Sequence, residues 1–264
     1  MTRGNRTQET GNSRENAVFC VLLYKMNQQI QNITDNIKHF LQKANKTKAV
    51  LGLSGGVDSA LVAKLAIMAL GKENVMALIM PNNALNHDQH VTDAETWAKE
   101  LDIEYHIIAI DEFIGPFDDL PWQGSDLANM NVQARVRANI LYHYANSNDA
   151  LVLGTGNKTE LTLGYFTKYG DGACDCEVIG SLYKTDVWAI GKELGLLEAI
   201  LSKKPSATLV DGQTDEGEIG MSYSEMDDIL KKFESGKKPE TENELKLYKR
   251  MQATLHKTIP PAVL

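Results

Sequence analysis

Between residue 27 and about residue 200, short apolar runs alternate with segments whose apolar residues recur every three or four positions. Short apolar runs suit strands covered on both faces, and the helical segments between them supply the crossovers that parallel strands need. Strands are predicted at Ala49–Leu53, Val75–Met80, Tyr105–Ile110 and Ala150–Leu153. Helices are predicted between them at Val57–Leu70, about Val91–Leu101 and Asp126–Tyr144. Ile30, Ile33, Ile37, Phe40, Leu41 and Ala44 recur at helical spacing and predict a covering helix ahead of the first strand. The fold class that follows is α/β, a doubly wound parallel sheet flanked by helices.

The two ends differ in character. Met1–Asn16 is polar and nearly free of large apolar side chains, so residues 1–25 are expected to be a disordered or non-native extension, with Met26 a candidate start. Residues 26–264 then form a single domain. The alternative is a short N-terminal helix docked through Val18, Val21 and Leu22, which share a helical face. Beyond Pro205, Asp211–Glu218 carries four acids and two glycines and reads as a mobile loop, with helices resuming near Ser224 and Glu242.

The longest early apolar run, Ala17–Tyr24, has eight residues, against the roughly 20 of a spanning helix, so no membrane partner is expected. A formal charge of −8 disfavours a large nucleic-acid surface and leaves small anionic ligands in play. Cys20, Cys174 and Cys176 are too few and too badly spaced for a disulfide framework or a zinc site, which fits a reducing cytoplasm. His87 and His90 lack a third ligand nearby and read as a solvated helix entrance.

Gly52-Leu53-Ser54-Gly55-Gly56-Val57-Asp58-Ser59 joins the first predicted strand directly to a helix. Glycines there allow close backbone approach, and two serine hydroxyls with the free amides of a helix N-terminus offer donors to a phosphate chain. No Lys precedes the final Ser, as it would in a Walker A loop; Asp58 stands there, so the cation must come from elsewhere. The segment resembles the S-G-G-x-D-S loop of the ATP pyrophosphatases, which holds the pyrophosphate portion of ATP and releases AMP and pyrophosphate.

Further along come Asn131-Val132-Gln133-Ala134-Arg135, Gly154-Thr155-Gly156-Asn157-Lys158-Thr159-Glu160, Gly164-Tyr165-Phe166-Thr167-Lys168-Tyr169-Gly170-Asp171-Gly172, Pro205-Ser206-Ala207 and His256-Lys257. In this order they resemble ammonia-dependent NAD synthetase, from about residue 27 to the end. The resemblance implies an adenine nucleotide alpha hydrolase-like fold, with ATP as co-substrate and Mg2+ held by Asp58 and Glu160. It implies catalytic roles for Asp58 and Lys184, and ATP contacts from the eight loop residues, Thr155, Lys184 and Ser206. Arg135, Lys168, Asp175, His256 and Lys257 would contact deamido-NAD. The chain departs from some relatives at Met80, where they place an Arg before the Pro; Ser206 stands where the family often has Thr.

The resemblance also implies a homodimer, in which the deamido-NAD site is completed across the interface. Leu127, Val132, Val136, Ile140 and Leu141 offer an apolar stripe on the long helix, whose plain alternative is packing on the chain's own sheet. The nitrogen donor is expected to be ammonia, because residues 1–25 are too few for a glutaminase domain and Cys20 has no His or Glu nearby to activate it. Two other readings compete: another AMP-forming ligase of the same superfamily, opposed by the T-K-Y-G-D-G segment, and a non-catalytic nucleotide sensor, opposed by two carboxylates and a lysine suited to a departing pyrophosphate.

Overall fold

Five parallel strands, β1 (Lys48–Gly52), β2 (Val75–Ile79), β3 (Glu104–Ile107), β4 (Ala150–Gly154) and β5 (Cys176–Glu177), lie in the order β3-β2-β1-β4-β5. The computed structural model describes residues 9–83, 88–205 and 214–259, with side chains from Cys20 onward except Leu22 and Asp88. Alternate residues of β1 face opposite layers, as pleating requires. Ala49 and Leu51 join a core with α1 (Glu9–Lys43), α2 (Val57–Leu70), α3 (Asp88–Glu100) and α7 (Lys184–Glu193). Val50 joins Leu78 and Val152 beneath α5 (Asp126–Asn148). Every residue of β2 is buried, consistent with a strand covered on both sides.

Away from the sheet, α6 (Lys158–Leu163), α9 (Asp215–Ile219), α10 (Tyr223–Glu234) and α11 (Glu242–Thr258) bring Leu163, Ile219, Tyr223, Met226, Leu230 and Leu247 into a third cluster. Two single turns, α4 (Asp111–Ile114) and α8 (Glu198–Leu201), complete the α-helices among the described residues. None of these helices is long and apolar enough to cross a membrane.

Several boundaries differ from the sequence reading. The third strand stops at Ile107; Ile108 and Ile110 still donate to Ile79 O and Pro81 O, but the chain then turns into α4. The two-residue β5 was not expected. Helix α1 extends back to Glu9, so most of the extension expected over residues 1–25 is helical. Val21 is 54% exposed, and the side chains of Val18 and Leu22 lie outside the described residues. Of the stretch expected to be a mobile loop, residues 211–213 lie outside the described residues, and Asp215–Ile219 is α9, capped by Thr214 accepting from Gly217 N. On α5, Val136 is buried against the chain's own sheet and Val132, Ile140 and Leu141 pack half-buried beside it, whereas Leu127 is exposed.

The order reverses at β1, with β2 on one side and β4 on the other. Open parallel sheets form a ligand crevice outside the carboxyl ends of strands at such a reversal. The loops leaving β1 and β4 therefore face one another across it.

Candidate active site

The loop after β1 is knitted by its two serines. Ser54 N donates to Ser59 Oγ at 3.1 Å, Ser59 Oγ donates to Gly56 O at 3.1 Å, and the two hydroxyls lie 3.0 Å apart. Gly55 adopts φ 76°, and a Cβ there would stand 2.3 Å from His90 O, so glycine is required on both counts. Gly56 is the N-cap of α2 and, having no side chain, does not cap that end itself; its own N–H donates to Ser54 Oγ at 3.3 Å, and the helix presents its positive pole to the crevice.

Across the crevice, Asn157 caps α6 reciprocally: its Oδ1 accepts from Glu160 N at 3.0 Å, and Glu160 Oε2 accepts from Asn157 N at 3.3 Å. The same Asn157 donates through Nδ2 to Asp58 Oδ1 at 3.0 Å, tying the two loops together. Lys184, at the start of α7, has a side chain only 2% exposed, and its Nζ lies 2.5 Å from Asp58 Oδ2 and 3.3 Å from Glu160 Oε1. The lysine missing from the first loop is thus delivered from a distant helix. Its backbone amide donates to Thr159 Oγ1, whose hydroxyl donates in turn to the fully buried Asp227. Asp227 also accepts from Thr185 N, so α10 fixes the starts of both α6 and α7.

Burial is the largest influence on both charged groups. It pushes the Glu160 carboxyl up to about 7 against the opposing pull of Lys184. In Lys184 burial works against the charge, but Asp58 and then Glu160 outweigh it and hold the ammonium above its ordinary value. Asp58 and Glu160 are hard oxygen donors of the kind that hold Mg2+ together with phosphate oxygens and water. Among the described residues no group of three His, Cys, Asp or Glu is placed to hold a metal ion.

Sequence reasoning missed several neighbours. Asp215, 4% exposed, accepts from Tyr223 OH at 2.9 Å and Tyr165 OH at 3.2 Å, and Tyr223 OH also lies 3.3 Å from Glu160. Burial raises the Asp215 carboxyl. Nothing local in Gln213-Thr214-Asp215-Glu216 distinguishes this acid from its solvated neighbours; its partners are 8 and 50 residues away. Arg137 donates from Nε to Met80 O at 2.9 Å, so a guanidinium stands at the carbonyl of the residue where some relatives carry Arg. Met80 itself is buried in the core beneath α5.

Four of the five residues expected to contact the second substrate are linked. Arg135 Nη2 donates to Lys168 O at 3.4 Å, Lys168 Nζ donates to His256 O at 2.6 Å, and Lys257 Nζ donates to Gly164 O and Phe166 O. Tyr169, at φ 62°, makes the turn beside Lys168 in a conformation non-glycine residues seldom adopt. Asp175 stands apart: its carboxylate accepts from Val152 N at 2.8 Å and Tyr142 OH at 3.3 Å. Thr155 lies between Gly154 and Gly156 at the end of β4, where Gly156 N donates to Glu177. Ser206 and His87 lie outside the described residues.

A parallel sheet in this order, with an uncapped glycine loop and an acid–lysine centre at the reversal, defines an α/β protein of the adenine nucleotide alpha hydrolase-like fold. Residues 29–261 match the family model described as NAD synthase, and the chain belongs to that family. It is 45% identical over 234 residues to the NH3-dependent NAD+ synthetase of Archaeoglobus fulgidus, covering 89% of this chain and 95% of that one. The NMN synthetase of Francisella tularensis superposes with a TM-score of 0.83 at 34% identity, over 90% of this chain and 98% of that chain. The NH3-dependent NAD synthetase of Campylobacter jejuni superposes with a TM-score of 0.79 at 35% identity, over 90% and 99%.

Proposed function

We propose that the protein is an ammonia-dependent NAD synthetase. The nicotinate carboxylate of deamido-NAD attacks the α-phosphorus of ATP, the bond to the β-phosphate oxygen breaks, and pyrophosphate leaves. Ammonia then attacks the resulting acyl-adenylate carbon, loses a proton, and AMP departs with the former carboxylate oxygen. The observation that carries this reading is the Lys184 ammonium between Asp58 and Glu160, beside an uncapped phosphate loop, in a member of the NAD synthase family.

In this reading the amides of Gly56, Val57 and Asp58 and the hydroxyls of Ser54 and Ser59 bind the departing pyrophosphate, and Lys184 neutralises charge as it leaves. Asp58 and Glu160 would hold Mg2+, which would screen the charge of the triphosphate against the incoming carboxylate. Thr155 and Ser206 contact ATP; Arg135, Lys168, Asp175, His256 and Lys257 bind deamido-NAD. We further infer one domain over residues 26–264 and a reducing, cytoplasmic setting in keeping with three free cysteines. A homodimer is supported by exposed Ile107, Phe113, Phe117, Trp122 and Leu127, which run from the edge strand β3 to the start of α5.

The likeness to a protein named NMN synthetase favours one second reading, in which the acceptor is nicotinate mononucleotide. The purified protein is given ATP, magnesium and ammonium chloride with either acceptor, and AMP and pyrophosphate are followed. Faster turnover of deamido-NAD is expected; preference for the mononucleotide would establish the second reading. Replacing ammonium by ammonia-free glutamine should abolish turnover.

A further inference from the structure

The described hydrogen bonds of the phosphate loop include one from a side chain far away in sequence. Lys203, just after α8, donates from Nζ to Gly55 O at 2.9 Å. The same nitrogen lies 2.5 Å from Asp93 Oδ2 and 3.4 Å from His90 Nδ1, both on α3. Asp93 is buried, and its other oxygen accepts from Gln89 Nε2 at 2.8 Å, so the carboxylate that steers Lys203 is itself held. Residue Gly55 is the loop position that permits no side chain, packed against the first turn of α3.

We propose that Lys203 is a positioning residue for ATP, setting the loop in its phosphate-receiving shape through the Gly55 carbonyl. A trans peptide is planar, with its C=O and N–H pointing in opposite directions. Drawing Gly55 O toward Lys203 and α3 therefore turns the Gly56 N–H the other way, where it donates at 3.3 Å to Ser54 Oγ. Glycine at positive φ has little preference of its own for this orientation, so an outside donor must hold the peptide plane. Lys203 and Lys184 both line the cleft, but the Lys203 charge is met by Asp93 and its ammonium is spent on the Gly55 carbonyl, which leaves it a brace for the loop. Lys203 also lies two residues before Pro205, whose carbonyl accepts from Asp215 N at 3.0 Å, so one short segment contacts both the loop and the acid–lysine centre.

The inference rests on the loop being the ATP phosphate site. Its test is the affinity of the full-length protein for ATP and, separately, for deamido-NAD, by calorimetry with magnesium and without ammonia. Lys203→Met is expected to weaken ATP by about 10- to 100-fold, the range for a lost hydrogen bond from a charged group, and to leave deamido-NAD unchanged. Lys203→Arg, which can still donate to Gly55 O, should restore most of the loss. Lys203→Met strands a buried carboxylate, so the Lys203→Met/Asp93→Asn double variant is measured too, and its ATP affinity should stay weak. Asp93→Asn alone should also weaken ATP. Wild-type protein that binds ATP but does not amidate deamido-NAD would overturn the proposed reaction and leave this inference standing. Unchanged ATP affinity in Lys203→Met, equal weakening of both substrates, or tighter ATP binding in Asp93→Asn, as a freed lysine gripping phosphate would give, overturns it.

Discussion

Replacing Lys184 by Met should separate what this lysine does for the fold from what it does for the reaction. The side chain is 2% exposed, and its ammonium bridges Asp58 and Glu160 with Asp215 close by. Methionine fills similar volume but leaves three carboxylates around an apolar chain. Removing one partner of a buried ion pair costs about 3–5 kcal/mol, because the charge left behind is uncompensated. At about 2–4 °C per kcal/mol for a chain of this size, thermal unfolding without metal should fall by roughly 10 °C. Magnesium, as a replacement cation, should raise the variant's Tm more than it raises that of the wild type. Adding Asp58→Asn should recover part of the stability by removing the carboxylate nearest the lost ammonium. Pyrophosphate release should remain at least about 100-fold below wild type in both variants, as for other lost charge-stabilising groups. A Tm for Lys184→Met equal to wild type, with no added response to magnesium, would refute the picture of one ammonium holding these acids together.

Other consequences follow from single contacts. Gly55→Ala places a Cβ 2.3 Å from His90 O on a residue at φ 76°, so ATP-dependent turnover should collapse and stability should fall by about 1–3 kcal/mol, read by urea unfolding. Asp58→Ala and Glu160→Ala should each abolish pyrophosphate release; near-normal turnover of both at limiting magnesium would remove them as metal ligands. Trp122→Glu, at a residue 65% exposed, should convert a dimer to a monomer by light scattering, and a wild-type monomer with full activity would dispose of the dimer.

The sheet was legible because β1, β2 and β4 are continuous apolar runs, a pattern that burial on both faces imposes. Strand β5 was not, since two residues in a stretch of cysteines and acids carry no period. Helix α9 was hidden for a different reason. Its acids look solvated in sequence, yet Asp215 is buried through hydroxyls from Tyr165 and Tyr223, and only the fold brings those together. On α5 the apolar stripe was visible but its destination was not, because periodicity marks a buried face without saying what buries it. The loop residues and Lys184 could be picked out as chemistry, whereas the brace on Gly55 depends on contacts 148 residues apart.

The most direct test of the central claim is to supply deamido-NAD labelled with oxygen-18 in its nicotinate carboxylate, together with ATP, magnesium and ammonium, and to weigh the products. Attack by that carboxylate on the α-phosphorus requires one labelled oxygen to leave with AMP, so AMP carrying a single oxygen-18 is the predicted result. Unlabelled AMP, or label recovered in inorganic phosphate beside ADP, would contradict adenylation at this site.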